Sequence, residues 1–322
     1  MMRFLKMINK AAHFAWRLPK EKNGEVRENP WRRMSSKEGK EFLRALPRAL
    51  LKNAIWDGTL GKMRPNKGLV DLGPFAQEKK ILYLLFENKV MTRAQIKELV
   101  FPTVVKSRVS KVICGLMDKN LVEVSSKQIE PRKHVLVYSL SESGKTFVSR
   151  SYPVEIHQEI RSSQAVFHDL KLVEIRRAFE ARDSVAHYLS ENVLQCCEFV
   201  SESEDFGPMA SVRCDAVVGI QTKSEVLYAA LEYEPTPKSF QRYKKKLLEY
   251  YLKPNIRFVI YISESDWLVK HIRKAELNLG QTLASKIFFV KIDDLLNLNA
   301  PVTFFGKDGN NFQLAGCVNQ PG

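Results

Sequence analysis

The sequence has no apolar run long enough to cross a bilayer, no secretory signal and no paired cysteine motif. A spanning helix needs roughly 20 consecutive apolar residues. Residues 1–18 are basic and amphipathic, without the apolar core and small-residue cleavage site of a signal peptide. The five cysteines show neither CxxC metal spacing nor an even disulfide framework: Cys114, Cys196, Cys197, Cys214 and Cys317. We therefore expect a cytoplasmic protein with reduced thiols and no membrane span.

Acidic residues are fewer than basic ones. The sequence has 36 Asp and Glu and 51 Lys and Arg, which gives a formal net charge of +15. This excess indicates a polyanionic partner, and nucleic acid is favoured over a membrane surface. About +10 of the charge lies in a basic N-terminal arm, residues 1–76. Within the arm, residues 35–46 have the apolar spacing of a helix that Pro47 ends. This helix either contacts DNA or is simply solvated.

Residues 77–150 show the periodicities of three helices followed by two short strands. Apolar residues recur at helical spacing in each helical segment, and Thr92 is placed to cap the second helix. Strands near residues 121–125 and 134–140 enclose a basic loop, and a last helix follows. This order predicts a winged helix-turn-helix that binds DNA. A winged helix that docks a protein partner is the alternative.

In such a domain the third helix, about residues 103–119, would enter the major groove of DNA. The predicted DNA contacts are Lys106, Ser107, Arg108 and Lys111 on this helix and Arg132 and Lys133 on the wing. Most of these contacts are expected to reach phosphates, so the sequence does not indicate which bases are read.

A second motif is a hairpin, residues 211–239, in which carboxylates alternate with apolar residues. A two-residue turn at residues 223–224 places Asp215 opposite Glu232 and aligns the apolar rows of both strands on the other face. Glu232 and Glu234 lie in an otherwise apolar strand, where a carboxylate without a cation is costly. The predicted ligands of a Mg²⁺ or Mn²⁺ ion are Asp215, Glu232 and Glu234. The alternative is an acidic edge of an ordinary sheet.

The elements expected in residues 158–298 follow the order αβββαβ, which resembles the restriction-endonuclease-like, or PD-(D/E)xK, fold. The fold class is therefore predicted as α/β (α+β overall), with an N-terminal winged helix-turn-helix before this domain. The tail, residues 299–322, has no assigned role.

The resemblance to this superfamily also implies roles for individual residues. An Asp on the second core strand and a Glu on the third bind the metal, and Asp215 and Glu232 match these positions. The Lys that activates water two residues later is replaced by Glu234. Members whose Lys has moved to the next helix imply Lys238 or Lys246 as the substitute. Two arginines are expected to contact the flanking phosphates: Arg213 and Arg242.

Two strings resemble proteins of bacterial mobile elements, namely FHDLKL at residues 167–172 and LEYEPTPKSFQRYKKKLLEYY at residues 231–251. They are similar to the replication-relaxation family and to the MOBC class of plasmid mobilisation relaxases. The resemblance, over residues 77–292, implies that the protein binds double-stranded DNA at a transfer or replication origin and nicks one strand. Relaxosome accessory and coupling proteins would be its partners. His168 and Asp169 would lie near the metal, unless His168 is a satisfied core histidine.

Two other functions are compatible with the same residues. Loss of the superfamily's lysine favours a DNA-binding accessory or regulatory protein whose nuclease domain is inactive. A restriction nuclease would share the chemistry but cut both strands, as a dimer.

Overall fold

The computed structural model of the chain describes residues 76–101, 106–130, 133–223, 225–279 and 285–316. The basic arm with its expected helix, as well as Arg132 and Cys317, lies outside these ranges. All the described residues belong to one unit by their contacts. Four of the cysteines are free thiols: Cys114, Cys196, Cys197 and Cys214. None of the helices in the described ranges has the length and hydropathy needed to cross a membrane.

The first part of the chain is built around a small three-stranded sheet. Its elements are α1 (Ala76–Asn88), β1 (Val90–Thr92), α2 (Arg93–Val100), α3 (Lys106–Asp118), β2 (Val122–Glu130), β3 (Lys133–Leu140) and α4 (Glu142–Ser151). The strand order is β1-β3-β2, and both pairings are antiparallel. The side chain of Thr92 caps α2 and forms a reciprocal capping box with Gln95, so the predicted cap is confirmed.

The second part of the chain contains a larger sheet with helices on both faces. Its elements are α5 (Val166–Glu180), β4 (Val185–Ser190), α6 (Glu191–Cys196), α7 (Glu198–Ser201), α8 (Gly207–Ser211), β5 (Ala216–Gln221), β6 (Val226–Glu234), α9 (Phe240–Tyr251), β7 (Phe258–Ser263), α10 (Asp266–Leu277), β8 (Ile287–Lys291), α11 (Ile292–Leu296), β9 (Val302–Phe305), a 3₁₀ turn (Lys307–Gly309) and β10 (Asn311–Leu314). The helices and strands expected between residues 164 and 292 are thus present. The short helices α6–α8 and the β9–β10 hairpin were not predicted.

The large sheet is mixed, with strand order β10-β9-β8-β7-β6-β5-β4. Strands β6, β7 and β8 are parallel, and their neighbours run antiparallel. Strands β9 and β10 extend this sheet. Part of the predicted tail, residues 299–322, therefore belongs to the same sheet as the carboxylate hairpin.

The register of the hairpin confirms the predicted two-residue turn. Ala216 pairs with Leu231, and the Thr222 N–H donates to the Glu225 carbonyl at 2.8 Å. The same register puts Asp215 opposite Glu232, as predicted. The strand itself begins at Ala216, so the prediction that it includes residues 212–214 is wrong. Arg213 has a φ of 53°, a left-handed conformation that a β-strand does not accommodate.

Alternation along β5 and β6 sends their side chains into two separate hydrophobic layers. Val217, Ala230 and Tyr261 pack in one cluster with the buried faces of α9 and α10. Ala216 and Leu231 pack in the other, with α5 and α11. The sheet is therefore covered on both faces, and its polar side chains are reached from the ends of the strands.

The first and second parts of the chain share one of these layers. Buried side chains of α1, including Leu85 and Phe86, belong to the same cluster as Val193 and Leu194 of α6. The small sheet and its helices are thus packed directly against the large sheet's layer rather than joined to it by an exposed linker.

Candidate functional site

Three carboxylates meet where β5 begins and β6 ends. Glu232 and Glu234 alternate with Tyr233 at the carboxyl end of β6, and Asp215 immediately precedes β5. Helix α9 begins six residues after β6 with Ser239 as its cap, and it crosses the sheet face that carries the two glutamates. Carboxyl ends of adjacent parallel strands are where open α/β sheets bind their ligands.

Asp215 is held by the backbone of β6 and by a histidine from α5. It accepts a hydrogen bond from the Tyr233 N–H at 2.7 Å, and its Oδ2 lies 3.5 Å from Nε2 of His168. Burial opposes ionisation, but the hydrogen bond and charge of His168 outweigh it and hold the pKa of Asp215 below its usual value. Burial disfavours the charged imidazole, yet Asp169 and Asp215 raise the pKa of His168 to about 10. The histidine therefore forms an ion pair with Asp215.

Glu232 is almost fully enclosed and has two partners from α9. Its Oε1 lies 2.9 Å from Nζ of Lys246 and also accepts a hydrogen bond from the Tyr250 hydroxyl. Burial raises the pKa of Glu232 to about 7, although the charge of Lys246 acts in the opposite direction. Lys246 also donates to the carbonyls of Val212 and Arg213 at 2.9 and 3.1 Å. Lys246 thus ties the irregular segment before β5 to the carboxylate.

Glu234 forms one ion pair, and the Tyr243 hydroxyl also interacts with its carboxylate. Its Oε2 lies 2.8 Å from Nζ of Lys238, whereas its Oε1 is buried without a hydrogen-bond partner among the described residues. Burial raises the pKa of Glu234, and Lys238 counteracts this in part. The hydroxyl of Tyr261, on the neighbouring strand β7, is also buried without a partner in the described ranges. Two buried polar atoms without a hydrogen bond to any described residue, Glu234 Oε1 and Tyr261 Oη, therefore lie on the adjacent strands β6 and β7.

Both atoms belong to residues that line a cavity of 280 Å³ between the sheet and α9. The cavity is lined by Glu232, Glu234, Lys238, Arg242, Tyr243, Lys245, Lys246, Glu249 and Tyr261. Four of these residues are cationic and three are glutamates, so the lining is polar and has a formal excess of one positive charge. A buried oxygen without a partner in a polar cavity indicates a place for water, a cation or a ligand group.

A divalent ion has partial support in this geometry. In the described part of the chain, no three His, Cys, Asp or Glu side chains are arranged to hold a metal. Mg²⁺ needs one or two protein carboxylates, since it keeps several of its waters. The unsatisfied Oε1 of Glu234 is a donor that suits such an ion. The lysines expected to position water, Lys238 and Lys246, are engaged by Glu234 and Glu232 in this structure.

The sequence profile of the replication-relaxation family matches residues 82–252, more than half of the chain. The chain belongs to the replication-relaxation family. The match runs from α1 to the end of α9, so it includes both the small sheet and the strands that carry the carboxylates. No curated protein and no solved structure matches the chain. Membership of this family indicates a role in plasmid replication or mobilisation.

The other predicted site residues of this replication-relaxation protein lie on separate surfaces. Arg242 is exposed at the mouth of the carboxylate cavity, and Arg213 is exposed at the turn before β5. Arg108 and Lys111 are exposed on α3. Lys106 and Ser107 begin α3, and Lys133 begins β3. Arg132 lies outside the described residues.

Sequence reasoning gave no site role to the tyrosines of this replication-relaxation protein that line or contact the site. Tyr243 and Tyr250 are buried on the face of α9 that also carries Lys246, and the three positions follow helical spacing. That spacing was visible in the string RYKKKLLEYY. It would have indicated that the buried face of α9 is aromatic and polar, which suits contact with carboxylates rather than with an apolar sheet.

Proposed function

We propose that this protein recognises DNA at a plasmid or mobile-element origin and nicks one strand with a metal-dependent site at the carboxylate cavity. The observation that carries the proposal is a pair of buried oxygens, Glu234 Oε1 and Tyr261 Oη, that have no hydrogen bond among the described residues and belong to the lining of a polar cavity shared with Glu232. Buried polar atoms in native proteins are normally satisfied, so an unsatisfied one calls for an explanation such as a bound water, an ion or a catalytic role.

The DNA-recognition part of the proposal rests on the first part of the chain. The order α1-β1-α2-α3-β2-β3 with a three-stranded sheet is the one expected of a winged helix. Helix α3 would be the recognition helix, since Arg108 and Lys111 are exposed on it. The β2–β3 hairpin would be the wing, whose Arg132 and Lys133 would contact phosphates.

The nuclease part rests on the order α5-β4-β5-β6-α9-β7, which follows the order expected of the PD-(D/E)xK fold apart from the three short helices α6–α8 between β4 and β5. Glu234 would bind Mg²⁺ or Mn²⁺ through its Oε1, and Asp215 and Glu232 would become ligands by exchanging His168 and Lys246 for the ion. A bound ion would lower the pKa of water and stabilise the charge that develops on the phosphate.

The cationic side chains of the cavity would have separate tasks. Lys246 keeps Glu232 close to Asp215 by bonding the carbonyls before β5, and Lys238 stabilises Glu234. Arg242 is exposed at the opening and would bind a phosphate next to the one attacked. Relaxosome accessory and coupling proteins would be its partners.

One observation favours a second function, a DNA-binding accessory protein without catalysis. Each of the three carboxylates already has a cationic partner, namely His168, Lys246 or Lys238. Such pairs stabilise a buried carboxylate without any metal. This protein would bind the same DNA and leave it intact.

The deciding experiment incubates supercoiled plasmid carrying DNA from the protein's genetic neighbourhood with Mg²⁺, Mn²⁺ or EDTA. The variants are Asp215→Ala and Asp215→Asn, which keeps a hydrogen-bond acceptor for the Tyr233 N–H. Glu225→Ala, at an exposed position of the hairpin turn, is the matched control. We expect open circles with metal, a loss of at least about 100-fold in both Asp215 variants, and no change in the control.

Other products would assign the protein differently. Linear DNA would indicate a restriction-type double-strand cut. Equal binding by all variants with no cleavage under any metal would contradict the nicking proposal and establish the accessory function.

A further inference from the structure

An exposed aromatic stack lies next to the carboxylate cavity. Trp267, in the first turn of α10, is 58% exposed and stacks on His271 with ring centroids 5.1 Å apart and an interplanar angle of 11°. His271 in turn makes T-shaped contacts with Phe240 and Tyr243, with ring centroids 5.8 and 5.6 Å apart. Tyr243 lines the cavity, so the stack leads from the surface to the carboxylate site.

This exposure is unusual for the residue concerned. Tryptophan side chains are highly buried on average, because their large apolar area stabilises a core. The indole of Trp267 is covered on one face by the imidazole of His271, and among the described residues no ring covers the other face. An indole with one supported face and one open face is a platform for another planar group.

The charged residues around this platform indicate the charge of the planar ligand. Lys270 and Lys274 are exposed on α10 one and two turns after Trp267. Lys238 and Arg242 line the cavity on the other side of the stack. The nearest acidic residues are also paired: Asp266 lies 2.7 Å from Lys291, and Glu264 accepts a hydrogen bond from the Tyr233 hydroxyl. The platform is therefore flanked by cations, and an apolar protein segment is a poorer match than an anionic ligand.

We propose that Trp267 and His271 form a stacking site for an unpaired base of single-stranded DNA. A base offers a flat π-face to the indole while its phosphates reach the flanking cations, which is the combination that single-strand binding sites use. A paired base in a duplex is already stacked on both faces and does not fit. The inference rests on the proposed function and deepens it, since it gives the path of the opened strand beside the nicking site.

The test measures binding of a fluorescein-labelled oligothymidylate of about 15 nucleotides by fluorescence anisotropy, with a duplex of the same length as the second ligand. All measurements contain EDTA, so they do not depend on cleavage. We expect Trp267→Ala to weaken single-strand binding by about 5- to 150-fold, the range for loss of one stacked base. Trp267→Phe should retain most of the affinity, and duplex binding should change by less than about twofold.

The matched control is Phe305→Ala, which removes another exposed aromatic side chain, 49% exposed, from strand β9 of the large sheet. It should leave single-strand binding unchanged. The inference is overturned if the wild type does not bind the oligonucleotide, if Trp267→Ala binds it normally, or if Phe305→Ala loses as much affinity.

The outcomes separate this inference from the proposed function. A protein that nicks plasmid while Trp267→Ala binds single strands normally would overturn the stacking site alone. A protein that depends on Trp267 for single-strand binding but never nicks would overturn the nuclease proposal alone.

Discussion

At the scale of single residues, each buried carboxylate of the site is stabilised by a specific partner. Asp215 has His168, Glu232 has Lys246 and Tyr250, and Glu234 has Lys238. The sequence indicated that carboxylates in an apolar strand need neutralising cations. The structure supplies these cations from α5 and α9, which lie on opposite faces of the sheet.

We expect the stability of the wild type to fall, relative to Glu232→Gln, as the pH rises. Burial raises the pKa of Glu232 from 4.5 to about 7. A group whose folded pKa is raised contributes stability that is complete below its unfolded pKa and is lost as the pH rises through the folded value. Between pH 5.5 and 8.5 the loss is about 2 kcal/mol, and a glutamine does not titrate. Urea unfolding of both proteins in EDTA at the two pH values measures the difference.

The control for this titration is Glu225→Gln, because Glu225 is an exposed residue of the same hairpin. Its unfolding free energy should follow that of the wild type at both pH values. Parallel pH dependence of Glu232→Gln and the wild type would contradict the raised pKa.

At the scale of elements, two helical glycines differ in the space that their surroundings leave for a side chain. Gly144, in the first turn of α4, is buried, and a Cβ there would lie 2.0 Å from the carbonyl oxygen of Leu121. A Cβ at Gly115, in α3, would meet nothing within 4 Å. The phrase SESGKTF therefore contains a packing glycine, at the point where α4 crosses the residue before strand β2.

The same substitution should have opposite effects at these two positions. We expect Gly144→Ala to destabilise the protein by at least about 2 kcal/mol, because backbone must move to admit the methyl group. Gly115→Ala should stabilise it by about 0.4–1 kcal/mol, since alanine lowers the conformational entropy of the unfolded chain. Thermal and urea unfolding of both variants measure this, and equal effects of the two changes would contradict the packing described here.

The elements also show which features the sequence could predict. The hairpin register followed from alternation, and the cap of α2 followed from Thr92 at the start of the helix. Both are local, since they depend on residues near each other in the chain. The left-handed Arg213 was not predictable, because its conformation is fixed by Lys246, 33 residues later, which binds the carbonyls of this turn.

At the scale of the whole molecule, a buried ionic network joins the small sheet's helices to the large sheet. Glu87 of α1 lies 2.5 Å from Arg176 of α5 and accepts a hydrogen bond from Tyr152 at 2.9 Å. Asn192 of α6 donates to the Phe86 carbonyl at 2.7 Å. Division of the sequence into domains did not reveal this network, because its partners are 65 to 106 residues apart.

The network links the proposed recognition part to the helix that carries His168. Arg176 lies two turns after His168 on α5, and its guanidinium also pairs with Glu180 at 2.8 Å. Burial raises the pKa of Glu87, although the charge of Arg176 acts against this. A carboxylate in this position depends on Arg176, since the side chains of both residues are less than 5% exposed.

Removing the guanidinium should therefore destabilise the whole protein. We expect Arg176→Met to lower the free energy of unfolding by about 3–5 kcal/mol, because Glu87 is left buried without its cation. The neighbouring Arg177 forms an ion pair with Glu98 in which both side chains are about half exposed. Arg177→Met, the matched control, should cost no more than about 1 kcal/mol. Urea unfolding measures both, and the double variant Glu87→Gln/Arg176→Met should recover part of the loss. A deficit in Arg176→Met no larger than in Arg177→Met would show that the two parts of the molecule are not held together by this network.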